Sequence, residues 1–238
     1  MRLVLAVGAL LCAGFAQEPT SSTSSTITAL RLSTFGNSDP KVLRDYTATG
    51  TMTMHDANQV GTVTIKSLRL HYLRCESSVS GISRTWVLRG LRAYSQTAQR
   101  KPIPLNSDVS VSLRSFALPV AQLLNARNDH IVESPEPRTL TLRQANIASH
   151  FEFSADTHLI AAARASVVAR AGSGAVQREF RYSDYRPVNG IRFPFAIEEW
   201  LDGKLVMTIH IEQIQLNTGL TADDFKLEGL PEGRERQQ

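Results

Sequence analysis

The chain has 238 residues, 42% hydrophobic, 20% charged and 7% aromatic, with 14 Gly, 10 Pro and 2 Cys. That length suits one large domain or two small ones, and the scarcity of Gly, Pro and Cys excludes collagen, low-complexity disorder and a disulfide-rich miniprotein. Lys and Arg number 26 against 22 Asp and Glu, a formal charge of +4 without a basic run, which argues against a nucleic-acid partner.

Met1-Arg2, the apolar run Leu3 to Phe15 and the small residues Gly14 and Ala16 have the three-part layout of a secretory signal. The run is shorter than the roughly 20 apolar residues a membrane-spanning helix needs. Cys12 lies inside it, but Leu11 stands where a lipoprotein signal needs a small residue, so cleavage is expected after Ala16. Residues 1–16 are then the signal peptide, and the Ser/Thr-rich residues 17–26 a flexible linker. Cleavage leaves Cys75 without an internal partner, and its alternating apolar surroundings suit a buried thiol.

A helix is expected from about Thr26 to Phe35, capped by Ser24 or Ser25 and stopped by Gly36-Asn37. From Asp45 the period becomes two: Thr47, Thr49, Thr51 and Thr53 alternate with Ala48, Gly50, Met52 and Met54, a half-buried strand. Strands follow over Val60–Lys66, Leu68–Cys75 and Ile82–Arg89. Pro102 and Pro104 then break the sheet, and apolar residues at helical spacing predict a short helix from about Leu118 to Ala126. Strands return over Thr139–Leu142, His150–Ser154, Leu159–Val168, Gln177–Tyr185, Phe193–Leu201 and Lys204–Leu216. Asp202-Gly203 is a two-residue hairpin turn, Asn189-Gly190 a second, and Pro194 is assigned to the latter. The result is one mainly β (α+β) domain of antiparallel strands.

Catalytic and metal chemistry find no support. The six histidines form no close pair or Cys/His cluster, and neither metal nor cofactor is implied. His150 and Glu152 share a strand face, as do His210 and Glu212, a spacing common by chance. Glu198 and Glu199, adjacent on a strand, point to opposite faces and cannot work as an acid–base pair. Met52, Met54, Trp86, Leu88, Phe195, Ile197, Met207 and Ile209 fall on apolar strand phases. They either fill a dry core or line a cavity for an apolar ligand.

The C-terminal part carries a family resemblance. Tyr182-Ser183-Asp184-Tyr185-Arg186-Pro187-Val188-Asn189-Gly190-Ile191-Arg192-Phe193-Pro194, then Ile209 to Asn217 and Asp224-Phe225-Lys226-Leu227, resemble the closing strands of the LolA-like, outer-membrane lipoprotein-sorting superfamily. Phe116 to Leu124 resembles the helix these proteins insert midway. The resemblance implies an open antiparallel half-barrel of about ten or eleven strands, with short helices covering the concave face. It places a single domain at 27–228 and a flexible tail at 229–238. It also implies a periplasmic, monomeric, non-catalytic protein that shelters lipid or lipoprotein acyl chains. The alternatives are an envelope sensor or interaction module with a filled core and a membrane-protein partner, and, further off, a secreted enzyme.

Overall fold

The computed structural model describes residues 22–69, 72–90, 92–98, 100–106, 109–110, 113, 123, 130–133, 136, 138–144, 147–168 and 174–229. The chain enters through helix α1 (Ser22–Phe35), which starts four residues before the expected Thr26 and takes in the end of the Ser/Thr stretch. Ile27, Leu30, Thr34 and Phe35 recur at helical spacing, and Leu30 and Phe35 are buried. Gly36 (φ +58°) ends the helix, its N–H donating to the Leu32 carbonyl at 2.8 Å.

Thirteen described strands then form one sheet: β1 (Asp45–Met54), β2 (Gln59–Leu68), β3 (Tyr72–Val79), β4 (Ile82–Arg89), β5 (Arg92–Thr97), β6 (Ile103–Pro104), β7 (Ile131–Glu133), β8 (Thr139–Gln144), β9 (Ile147–Phe153), β10 (Ile160–Val167), β11 (Val176–Val188), β12 (Ile191–Leu201) and β13 (Lys204–Leu216). Their spatial order is β6-β5-β4-β3-β2-β1-β13-β12-β11-β10-β9-β8-β7, antiparallel throughout. Two meanders are thus joined where the first strand meets the last. Because β6 and β7 stand at opposite edges, the sheet is open, as an incomplete barrel is.

The ten or eleven strands expected fall short of thirteen because β6 and β7 have only two and three residues, too few to show a period. Pro194 is a further correction. It lies inside β12 opposite Tyr185, ahead of Ala196, the first residue of β12 to pair with β13, so it interrupts no β12–β13 ladder that would need its N–H. The turns at Asn189-Gly190 (φ +49° and +84°) and Asp202-Gly203 (φ +47° and +77°) are as expected. Apart from Leu123, the helix expected at 118–126 lies outside the described residues. Leu123 is helical and buried.

One sheet face carries the core. Its main cluster runs from Leu73, Cys75 and Leu88 on one arm, through Met52, Ile209 and Ile197, to Phe180, Phe151 and Leu140 on the other. Leu30 of α1, Leu113 and Leu123 belong to the same cluster, so helical segments cover this face. A smaller cluster on the opposite face packs Phe225 and Leu227, from and after the 3-10 turn Ala222–Phe225, against Val87.

Candidate apolar binding face

All eight residues expected to line a ligand site stand on the covered face. Met52 of β1 pairs with Ile209 of β13, which pairs with Ile197 of β12, and Met54 pairs with Met207. On the other arm Trp86 and Leu88 of β4 lie opposite Cys75 and Leu73 of β3. Met52, Leu88, Phe195, Ile197, Met207 and Ile209 are buried, while Met54 and Trp86 are partly buried against the same cluster. Strand alternation brings them to one side, and antiparallel register fixes which become neighbours. They form one apolar surface.

The polar groups beside this surface came from no local motif. Glu199 stands opposite Met207 and accepts from Arg178 Nε at 2.7 Å, an ion pair in which both side chains are largely buried. The Arg178 guanidinium also lies 4.9 Å from the Phe180 ring centroid. Glu198 points the other way, accepting from Trp200 Nε1 at 2.9 Å, as adjacent strand positions require. Arg178 alternates with Phe180 and Tyr182, a charge on an apolar phase, and that was the available signal. Its partner is 21 residues away and only the β11–β12 register supplies it.

Burial sets the titration of the buried groups. Cys75 is pushed up to about 12, chiefly by desolvation and then by the charges of Glu76 and Glu199, so its thiol stays protonated and inert. Desolvation also raises Tyr46, Tyr182 and Tyr185. Tyr185 keeps a use for its hydroxyl, donating to the Ile160 carbonyl at 2.7 Å. At the exposed end of β11, a hydrogen bond from Arg186 holds the Asp184 carboxyl below its usual value, and Arg186 covers the Phe195 ring at 4.7 Å.

Elsewhere, His150 Nδ1 meets Thr141 Oγ1 at 3.0 Å and Glu152 pairs with Arg164 at 2.7 Å, so these neighbours serve the strands beside them. Among the described residues no three His, Cys, Asp or Glu converge to hold a metal ion. An open depression of about 410 Å³ is lined by Lys41, Val42, Arg44 and Asn217. No described helix is long and apolar enough to cross a membrane.

The fold is shared with solved structures. A LolA superfamily protein from Nitrosomonas europaea superposes with a TM-score of 0.52 at 14% identity, over 87% of this chain and 99% of that one. The fold is LolA-like. An outer membrane lipoprotein-sorting protein domain from Vibrio parahaemolyticus gives a TM-score of 0.51 at 9% identity, covering 76% of this chain and 89% of that domain. A DUF1329 family protein from Desulfovibrio piger gives 0.51 at 10% identity over 88% and 98% of the two chains. At such identities the likeness is one of fold. No family model matches the sequence. No curated protein matches it either. In this LolA-like fold the eight apolar residues occupy the covered face of the half-barrel, and the Arg178–Glu199 pair sits on the same side.

Proposed function

We propose that this protein is a non-catalytic, periplasmic carrier-like protein that shelters the acyl chains of lipid or of a lipoprotein against the apolar face of its half-barrel. The observation that carries the reading is the unbroken apolar surface from Trp86 and Leu88 to Ile197 and Phe195 on a sheet open between β6 and β7. Burying a methylene is worth about 0.8 kcal/mol, so sheltering about ten of them gains roughly 8 kcal/mol before ordering costs. Association and ordering costs are subtracted from that gain, so apolar burial alone gives an affinity weaker than the micromolar value to which roughly 8 kcal/mol would correspond. The signal-like N-terminus and the lipoprotein-sorting description of the Vibrio domain support export and a lipid-bearing partner. On this reading the protein works as a monomer, with a membrane protein of the envelope as donor or acceptor.

The two tryptophans make the proposal testable. Trp86 borders the apolar face, whereas Trp200 lies on the other, between Glu198 and the Arg181 guanidinium. A fatty acid brominated on its chain should quench the intrinsic fluorescence of Trp200→Phe protein and leave that of Trp86→Phe unchanged. Quenching of neither, or of Trp200 alone, contradicts the proposal. A second reading, an interaction module of the same fold, draws on the near-complete burial of Met52 (1% exposed) and Ile209 (0% exposed), which a filled core would also show. It predicts no quenching at either tryptophan.

A further inference from the structure

The free edge of the β1–β6 arm differs from the rest of the surface. From Ser77 to Ser107 the sequence has no Asp or Glu but five cations, Arg84, Arg89, Arg92, Arg100 and Lys101. No short window is rich enough in these to read as a basic run, and the sheet brings three of them to one end. Arg84 pairs with Thr97, whose carbonyl accepts from the Arg100 N–H at 3.1 Å, and Lys101 follows. All three cationic residues are exposed.

Large aliphatic side chains share this end. Ile82 (59% exposed) stands two residues before Arg84 on the same strand face, and Ile103 (64% exposed) lies across β5 from Trp86 through Ser95. The Arg84 guanidinium lies 6.0 Å from the Trp86 ring centroid. Along β4, side chains of one face therefore pass from exposed Ile82 and Arg84 through half-buried Trp86 to buried Leu88. Among the described residues, Glu76 of β3 pairs with Thr85 of β4 on the opposite face and is bound by Arg74, and Glu228 meets Gln96 there through its backbone. Edge strands are blunted by shortness, charge and proline, and the two-residue β6 with Pro104 has the first and the last. Here protruding aliphatics alternate with cations and an aromatic ring, the combination that partitions into the headgroup region of an anionic bilayer.

We propose that the β4–β6 edge, through Ile82, Ile103, Arg84, Arg100 and Lys101 with Trp86 at its inner margin, is a docking surface for anionic membrane. The aliphatics enter the interface, the cations meet lipid phosphates, and Trp86 joins this rim to the apolar face. The bilayer is favoured over a nucleic acid because phosphates alone give exposed Ile82 and Ile103 nothing to bury against.

The test is cosedimentation of the protein, as purified from its host, with vesicles of phosphatidylglycerol and phosphatidylcholine or of phosphatidylcholine alone. Binding is expected to the anionic vesicles, weakened in high salt. It should fall tenfold or more both in Ile82→Ser/Ile103→Ser and in Arg84→Ser/Arg100→Ser/Lys101→Ser. Both variants should unfold at the wild-type temperature, since the altered side chains are exposed. Absence of wild-type binding to anionic vesicles, or undiminished binding by both folded variants, overturns the proposal. So does capture of an acidic soluble protein by this edge without vesicle binding. The inference stands apart from acyl-chain sheltering, because the aliphatic variant should keep quenching of Trp86 by brominated fatty acid while losing the vesicles.

Discussion

At the scale of single residues, Asp45 has the most demanding position. Its buried carboxylate accepts from Thr218 N–H at 2.6 Å, Thr218 Oγ1 at 2.8 Å and Gly219 N–H at 3.2 Å. Beside it, Asn217 (φ +55°) accepts from the Arg44 N–H at 2.9 Å and donates to the Val42 carbonyl at 3.0 Å. These bonds tie the end of β13 to the start of β1, where the two meanders join. Asp45→Ala should therefore lower stability by about 3 kcal/mol, because it strands donors already removed from water, as urea denaturation would show. Cys75 gives a prediction in pH. Its folded value of about 12 exceeds the ordinary 9.0, so the unfolded thiol ionises first. Its stabilisation is complete below about pH 9 and is lost as pH rises toward 12. The buried tyrosines act in the same direction. Urea midpoints should be flat with respect to this thiol below pH 9 and fall above it, less steeply at first in Cys75→Ala, and a thiol reagent should label Cys75 only on unfolding.

Among the elements, the β1–β13 seam is the critical joint. The register shifts between Thr49 and Gly50, and a Cβ on Gly50 would overlap the His210 carbonyl. Since only glycine lets the two backbones approach so closely, Gly50→Ala should cost roughly 2–3 kcal/mol and weaken amide-exchange protection along β13. Most of this sheet was legible in the sequence. The threonines of β1 mark its outer face by alternation, and Asp202-Gly203 and Asn189-Gly190 need the positive φ they adopt. What escaped has physical reasons. Edge strands of two or three residues carry no period, and Pro194 fits inside β12 because it precedes Ala196, where pairing with β13 begins. The eight apolar positions were readable because each strand betrays its own buried phase. The Arg178–Glu199 pair was not, because it joins strands whose register no single segment encodes.

Taken whole, the molecule is an open sheet whose apolar face is a single surface and whose free edges lie far apart in strand order. On the carrier reading that face receives acyl chains and needs no catalytic group. The carrier reading therefore turns on whether something apolar occupies the covered face in the cell. Native mass spectrometry of the protein purified from its own envelope decides this directly. The account predicts a population heavier than the polypeptide by the mass of a lipid or acyl chain, released by organic solvent and rebound on adding fatty acid. A single species at the polypeptide mass, unchanged when fatty acid is added, would contradict it.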